Sequence, residues 1–391
     1  ASMRRHSGPE SKSGALGIMR GVDSVTRDGD SVIFTMKDAN ADFPFLLTDY
    51  HLVIQPGGGV DNPRAAIGTG PYKVVTHEPG VRTIGARFEN YWGGKVRGHA
   101  DTVEITVLND TTARTAALQS ARVDMINRVD PKLVELIKKV PGLALQTARG
   151  KGYYVFAAHC NTAPFNNNDL RLALKYAMDR KEMVEKILRG YGTIGNDFPI
   201  NAAFPFFSDL PQRAFDTDKA AFHYKKSGHN DSILLRTSEV AFPGAVEAAQ
   251  LYQATCAKAG IKIEVRREPG DGYWSAVWNK QPFATAYWGG RAVQDQIYST
   301  AYISSADWND TRFFNPKFDQ MVVAARGELN QAKRVQIYKD MAMVVHEEGG
   351  VIIPMFNDVI DASGSKVGGY VNHPAGELMN GRAASECWLE A

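Results

Sequence analysis

The chain has 391 residues, of which 44% are hydrophobic and 23% are charged. One hydrophobic core serves roughly 250–300 residues, so we expect two or more domains. The formal net charge of +2 is too small to indicate a nucleic-acid-binding protein. No apolar run approaches the ~18 residues that a membrane-spanning helix needs. The composition therefore predicts a folded, multidomain globular protein.

The beginning of the chain and its cysteines carry little functional information. Residues 1–6 lack the charged and apolar regions of a signal peptide, and we expect the chain to start inside a domain. Cys160, Cys256 and Cys387 are far apart and match no metal-binding or disulfide pattern. We expect them to behave as small buried hydrophobic residues.

Hydrophobic periodicity predicts both strands and helices along the chain. Strands are predicted at 31–36, 72–76, 83–88, 102–107, 153–158, 233–235, 261–265 and 351–356. Helices are predicted at 111–120, 131–140, 169–189, 243–259, 316–326 and 331–347. Residues 233–267 form a strand–helix–strand unit, which indicates an α/β protein with a mostly parallel sheet.

Two short motifs give no support to a cofactor or a metal. Residues 190–195 have the glycine spacing of a dinucleotide-binding loop, but they follow a helix rather than a strand. His346 precedes two glutamates without the second histidine of a metalloprotease helix. No nucleophile elbow is visible. We therefore predict no cofactor, no metal and no enzymatic activity.

One segment has the residue types of a ligand-binding loop. Trp288 is followed by two glycines, Arg291 and, four residues later, Asp295. The guanidinium group of an arginine suits a carboxylate, and an aromatic ring can stack on a ligand. The alternative is a surface loop in which Arg291 pairs with Asp295, and spacing alone slightly favours this alternative.

Four segments together resemble a known family. They are 68–73 with 88–94, 110–124, 164–180 and 349–355. Their order and spacing are similar to those of the extracytoplasmic solute-binding proteins of the peptide/opine/nickel ABC importers (family 5). This resemblance covers nearly the whole chain.

The resemblance implies a two-lobed α/β fold of the type II periplasmic-binding-protein class, with a discontinuous first lobe. Residues 1–65 would be the remainder of an accessory subdomain of lobe one, 66–152 would belong to lobe one, 153–351 to lobe two, and 352–391 would return to lobe one. It further implies a monomeric protein that is periplasmic, or extracytoplasmic and membrane-associated, that delivers a small molecule to the membrane permease of an importer and that binds no nucleic acid.

One departure from the family concerns the ligand. In relatives that bind peptides, an aspartate that pairs with the α-amino group stands where this chain has Arg291. We therefore expect a carboxylated ligand, such as an opine or an amino-acid conjugate. The alternatives are a di- or oligopeptide receptor, a hydrolase with its site in the cleft, and a peptide-holding accessory protein. The predicted ligand-binding residues are Tyr287, Trp288, Arg291, Asp295, Phe356, Asn357, Asp358, Asn196 and Asp197.

Overall fold

The computed structural model describes residues 1–8, 10–62 and 64–390. Its helices are α1 (Leu16–Met19), α2 (Phe43–Leu46), α3 (Thr111–Gln119), α4 (Val134–Ile137), α5 (Asn168–Tyr176), α6 (Arg180–Lys186), α7 (Thr217–Ser227), α8 (Ala245–Ala257), α9 (Gln294–Ala301), α10 (Pro316–Gly327), α11 (Gln331–Glu348), α12 (Glu377–Gly381) and α13 (Ala383–Glu386). Its strands are β1 (Val22–Asp28), β2 (Ser31–Met36), β3 (Tyr72–Glu78), β4 (Arg82–Arg87), β5 (Thr102–Thr106), β6 (Met125–Ile126), β7 (Leu143–Ala148), β8 (Tyr153–Ala158), β9 (Gly192–Ile194), β10 (Ile233–Thr237), β11 (Ile263–Arg267), β12 (Phe283–Trp288), β13 (Val351–Asn357), β14 (Val359–Gly364), β15 (Val367–Gly368) and β16 (Trp388–Leu389).

The chain forms two compact units. The first comprises residues 1–5, 53–150 and 358–391, and the second comprises 6–52 and 151–357. The boundaries of these compact units differ from the domain boundaries expected from the sequence, and the second unit resumes at Lys151 rather than at 153. Strand β13 pairs with β8 and β9, so it belongs to the second unit up to Asn357, and residues 6–52 are grouped with the second unit rather than with 53–65. The assignment of residues to ligand-binding lobes stays a prediction.

The second unit is built on a six-stranded sheet with the order β11-β10-β12-β8-β13-β9. Strand β10 runs parallel to β11 and β12, which confirms the predicted strand–helix–strand unit. The prediction of a mostly parallel sheet is wrong, because β8 runs antiparallel to both of its neighbours and β9 runs antiparallel to β13. The sheet is therefore mixed.

Strand β8 lies at the centre of this sheet and contributes to two hydrophobic cores. Phe156 and Ala158 pack in one core with residues of α5, α6 and α8. Tyr153, Val155 and Ala157 pack in the other with residues of α9, α10 and α11. Because successive side chains of a strand point to opposite faces, this division follows from the apolar run that predicted the strand.

The predicted helix over 169–189 is two helices in the structure. Helix α5 ends at Tyr176, and α6 begins at Arg180 after its N-cap Asp179. The Asp179 carboxylate accepts a hydrogen bond from the Glu182 backbone N–H at 3.0 Å. A side chain that caps a helix in this way competes with continuation of the preceding one.

Residues 6–52 pack closely on the helices of the second unit. A Cβ atom at Gly17 in α1 would overlap the backbone oxygen of Ser299 in α9. Asp42, just before α2, forms an ion pair with Arg334 of α11 at 2.5 Å. Both residues of this pair are buried, so the segment is held by close backbone packing and by a buried charge pair.

The first unit contains two three-stranded sheets. One has the order β3-β4-β5 and is antiparallel, and the other has the order β6-β14-β7. Helix α3 begins as predicted, because the Asp110 side chain accepts a hydrogen bond from the Ala113 backbone N–H at 2.7 Å. Strands β15 and β16 form a separate pair.

Candidate functional site

The predicted binding loop begins at the end of strand β12. Trp288 is the last residue of β12 and pairs with Tyr153 of β8, which in turn pairs with Phe356 of β13. The rings of Tyr153 and Phe356 are 5.8 Å apart in an edge-to-face arrangement. Three neighbouring strands thus bring aromatic residues together at one end of the sheet, and these include the predicted site residues Trp288 and Phe356.

Trp288 belongs to a cluster of tryptophans in the second unit. Its ring centroid lies 6.1 Å from those of Trp278 and Trp308, and Trp278 and Trp308 are 5.5 Å apart. Trp274 lies 6.1 Å from Trp278 and 5.4 Å from Tyr287. Such edge-to-face and tilted contacts stabilise aromatic side chains in fixed orientations. Tyr287 and Trp288 are therefore held by a shared aromatic framework, here called the tryptophan cluster.

A buried acid lies within the tryptophan cluster. Oδ2 of Asp310 accepts a hydrogen bond from the indole Nε1–H of Trp278 at 3.0 Å and from that of Trp288 at 3.1 Å. Burial raises the pKa of Asp310 to about 6, although both indole hydrogen bonds and the positive charge of Arg312 act in the opposite direction. Sequence reasoning missed Asp310, because a single aspartate in an irregular segment has no periodicity or motif.

Arg291 follows the two flexible glycines and is buried in the second unit. Its side chain is 8% exposed. Its Nη1 donates to the backbone oxygens of Gly289 and Gly290 at 3.2 and 3.3 Å. The guanidinium carbon lies 5.6 Å from the ring centroid of Tyr50. The buried Nε–H of Arg291 has no hydrogen-bond partner among the described residues, which leaves a donor free.

Residues before the predicted site complete the surroundings of Arg291. The Oδ1 atom of Asp49 accepts hydrogen bonds from the backbone N–H of His51 at 3.0 Å and from its ring Nδ1–H at 2.6 Å. The His51 ring contacts those of Tyr50 and Trp308, at 4.0 and 4.9 Å between centroids. No pattern in the sequence indicated this segment, because it meets Arg291 only through the tertiary fold.

Asp49 remains ionised despite its burial. Burial alone would raise its pKa, but the His51 hydrogen bonds and the positive charge of Arg291 outweigh this effect and lower the pKa below the usual value. The other carboxylate oxygen of Asp49, Oδ2, has no hydrogen-bond partner in the described part of the chain. The Asp49 carboxylate and the Arg291 guanidinium group are thus neighbouring opposite charges. Oδ2 of Asp49 and Nε of Arg291 are the atoms without a hydrogen-bond partner among the described residues.

Asp295 occupies a different environment from Arg291. It lies in the first turn of α9, where its Oδ1 accepts from Nε of Arg326 at 2.8 Å and from the Ser299 hydroxyl at 2.9 Å. Asn40 donates to its other oxygen at 3.4 Å. The alternative in which Arg291 pairs with Asp295 is therefore wrong, since Asp295 pairs with Arg326. A role of Asp295 in ligand binding stays a prediction.

Asn357 and Asp358 stand on opposite sides of the boundary between the units. The Asn357 backbone N–H donates to the Gly152 oxygen at 3.1 Å. A Cβ atom at Gly152 would lie 3.0 Å from the Trp288 oxygen and 3.4 Å from Oδ1 of Asn357. Asn357 is thus close to the binding loop, whereas Asp358 pairs with Arg149 at 3.3 Å in the first unit.

Asn196 and Asp197 lie in a buried polar network. Asp197 is fully buried, and its Oδ2 is 2.5 Å from Nη2 of Arg180 and 3.2 Å from Nε of Arg213. Oδ1 of Asn196 accepts from the Arg213 backbone N–H at 2.9 Å. These contacts use the polar atoms of both side chains for internal bonds, and their predicted contact with a ligand stays a prediction.

Within residues 1–8, 10–62 and 64–390, no group of three or more histidine, cysteine, aspartate or glutamate side chains could hold a metal ion. The three cysteines are free thiols. None of the helices described is both long enough and apolar enough to cross a membrane.

Comparison with known proteins identifies the family. The model of the bacterial extracellular solute-binding proteins, family 5 Middle, matches residues 1–310. The chain is 28% identical over 325 residues to heme-binding protein A of Haemophilus influenzae, an alignment that covers 79% of this chain and 58% of the relative. It is 23% identical over 321 residues to the dipeptide-binding protein of Escherichia coli, covering 80% of this chain and 60% of the relative. The chain thus spans less than two thirds of the length of these two relatives.

A solved structure with a similar fold is the binding protein AgaA of A. tumefaciens R10 in complex with agropinic acid. It matches with a TM-score of 0.89 and 22% identity, over 100% of this chain and 82% of AgaA. The likeness shows that the fold is the mixed α/β, two-lobed fold of periplasmic binding proteins. Since the family model matches most of its length, this chain belongs to the bacterial extracellular solute-binding proteins of family 5.

Proposed function

We propose that this protein is the substrate-binding component of an ABC importer, and that its ligand carries a carboxylate. The observation that carries the proposal is Arg291, a buried guanidinium group with an unused Nε–H donor beside Tyr50, three residues after Trp288 of the tryptophan cluster. An arginine in a poorly hydrated, aromatic environment favours a carboxylate over an ammonium group, because like charges at such a site repel strongly.

The proposed mechanism is capture and delivery without chemical conversion. Periplasmic binding proteins are a known example of hinge closure around a ligand. A ligand can stabilise the closed form only through contacts that are better made in that form. The closed protein would then be recognised by the permease subunits outside the cytoplasm. We propose a monomer with no nucleic-acid partner.

The proposal is tested by a thermal-shift screen of the intact protein. Agropinic acid, dipeptides and hemin are suitable first ligands, because related proteins are described with ligands of these kinds. A ligand present at about 100 times its Kd should raise the free energy of unfolding by about 2.7 kcal/mol. We expect a carboxylated conjugate to stabilise the protein and to be recovered unchanged by mass spectrometry.

Variants of Arg291 test whether the carboxylated ligand found in the screen binds at Arg291. We expect Arg291→Gln to weaken binding of the carboxylated ligand by tenfold or more, and Arg291→Lys to restore only part of the loss because lysine lacks the planar, two-pronged donor geometry. Arg267→Gln, at an exposed arginine of β11, is the matched control. Unchanged affinity in Arg291→Gln would contradict the carboxylate assignment, and product formation would contradict a transport-only role.

Stabilisation by peptides instead would favour the other reading of this family, a di- or oligopeptide receptor. The relative named dipeptide-binding protein supports that candidate. This candidate predicts that blocking the amine of the peptide abolishes stabilisation of the protein. It also predicts that blocking the carboxylate of the peptide changes the stabilisation little, since Arg291 would then not bind that group. The same screen therefore distinguishes the two candidates.

A further inference from the structure

Asp49 and Arg291 are two buried, oppositely charged side chains of the second unit that do not form an ion pair with each other in the described structure. Asp49 is 4% exposed and Arg291 is 8% exposed. Each is thus more than nine-tenths buried and retains one polar atom without a partner, Oδ2 of Asp49 and Nε of Arg291. These atoms have different chemistry, since the first is an acceptor and the second is a donor.

Two other polar atoms of this pair, Oδ1 of Asp49 and Nη1 of Arg291, have identified partners. His51 donates both its backbone N–H and its ring Nδ1–H to Oδ1 of Asp49. Nη1 of Arg291 donates to two backbone oxygens of its own loop. These bonds fix the two side chains in position. They therefore hold an acceptor and a donor in fixed positions, and because both atoms are buried in the described structure, a ligand reaches them only when the surrounding segments move apart.

Aromatic rings surround both charged side chains. Tyr50 lies over Arg291, and Trp308 contacts the His51 ring that holds Asp49. In such an aromatic environment a charge interaction is stronger than in water. Asp295 cannot take the role of Asp49 without losing its bond to Arg326. An unpaired buried donor or acceptor is unfavourable, so a ligand group that satisfies both atoms is favoured.

We infer that Asp49 is a specificity-determining residue that receives an ammonium group of the ligand while Arg291 receives its carboxylate, so the ligand ends in a free α-amino acid group. This inference rests on the proposed function and narrows its ligand class. A ligand with a carboxylate but no nearby ammonium would leave Asp49 unpaired. A peptide, whose amine and carboxylate are far apart, would satisfy only one of the two residues.

A pair of isomers tests the inference without any mutation. Nε-acetyl-lysine and Nα-acetyl-lysine have the same mass, the same net charge and the same carboxylate, but only the first has its ammonium on the carbon that bears the carboxylate. We expect calorimetric titration of the intact protein to give at least tenfold tighter binding of Nε-acetyl-lysine. We expect Nα,Nε-diacetyl-lysine, which has no ammonium, to bind as weakly as Nα-acetyl-lysine.

Two variants assign the effect to the residues. Asp49→Asn should bring the affinity ratio of the isomers close to one, whereas Arg291→Gln should weaken both isomers alike. Asp307→Asn, at an exposed aspartate of the same unit, should leave the ratio unchanged. The isomer titrations with the unmodified protein keep the inference testable even if Asp49→Asn does not fold.

The failure of this inference can be separated from the failure of the proposed function. Equal affinities for the two isomers, or no binding of Nε-acetyl-lysine, would overturn the role of Asp49. Binding of another carboxylated ligand by an Arg291-dependent site would then leave the proposed function intact. Loss of Arg291 dependence, or conversion of the ligand, would instead count against the proposed function.

Discussion

The indole of Trp288 donates its Nε1–H to the buried carboxylate of Asp310 over 3.1 Å. The same oxygen accepts the indole N–H of Trp278 at 3.0 Å. One acid therefore fixes two members of the tryptophan cluster, including the residue that begins the binding loop. The free energy of unfolding of the protein should therefore depend on whether Asp310 is protonated.

Replacing Asp310 with asparagine should change the pH dependence of stability. Burial raises the pKa of Asp310 to about 6 from an ordinary value of 3.8. Between about pH 4 and pH 6 the folded state thus binds more protons than the unfolded state, so the free energy of unfolding falls as the pH rises through this window. The amide of Asp310→Asn does not titrate, and its oxygen can still accept the indole bonds. Relative to this variant, the unmodified protein should lose about 2–3 kcal/mol between pH 4 and pH 7.

Urea unfolding at several pH values, followed by circular dichroism, measures this difference. Asp307→Asn, at an exposed neighbour, is the matched control and should follow the unmodified protein. Parallel stability curves for Asp310→Asn and the unmodified protein would show that Asp310 does not titrate in this range. Other carboxylates also titrate there, and the comparison between variants removes their contribution.

The central strand of the second unit could be predicted from the sequence, but its helices only in part. The apolar run of β8 is a local signal, and two buried faces are its direct consequence. The periodicity of α5 continues into α6, with Val184 packed against the same core. The Asp179 cap interrupts the helix without interrupting this pattern. Hydrophobic periodicity therefore located the buried face correctly and missed the break.

The candidate site shows a sharper limit of sequence reasoning. Trp288 and Arg291 could be proposed from the sequence because they lie together in the chain and in a family motif. Asp49 and Asp310 are single acids in irregular segments, and their importance arises from tertiary contacts that join distant segments. The two arginines beside Asp197 could not be predicted from the sequence either, and its predicted contact with the ligand stays a prediction.

Asp197→Asn should affect stability rather than ligand choice. The substitution removes the charge that compensates Arg180 and Arg213, both buried beside it. Breaking a buried ion pair by neutralising one partner costs about 3–5 kcal/mol. We expect a loss of this order in chemical unfolding, with unchanged ligand affinity for the folded fraction. Asp209→Asn, at an exposed position, is the control, and a stable variant that no longer binds ligand would place Asp197 at the ligand after all.

Gly17→Ala should loosen residues 6–52 from the second unit. An added Cβ would overlap the Ser299 backbone oxygen, and a backbone atom cannot move aside as a side chain can. Such overpacking costs about 1–3 kcal/mol. We expect a lower melting temperature and faster proteolytic cleavage within 6–52. Gly68→Ala meets open space and is the matched control, so equal cleavage of the two variants would contradict the close packing of α1.

Because of Lys175, the free energy of unfolding should increase as the pH rises above neutral. The residue is fully buried, and its ammonium donates to the backbone oxygens of Val345 and His346 near the end of α11. Burial is the main cause that lowers its pKa from 10.5 to about 7; the neighbouring arginines act in the same direction and Asp197 in the opposite one.

Between about pH 7 and pH 10 the unfolded chain therefore binds a proton at Lys175 that the folded chain has released, and the free energy of unfolding increases with pH. The Lys175→Met variant has no side chain that titrates at this position. Relative to it, the unmodified protein should gain up to about 2 kcal/mol between pH 7 and pH 9, as measured by guanidinium unfolding. Lys181→Met, at an exposed lysine of α6, should show no such change relative to the unmodified protein. A constant difference between Lys175→Met and the unmodified protein from pH 7 to pH 9 would mean that Lys175 stays charged, because its carbonyl partners and Asp197 would then outweigh the cost of burial.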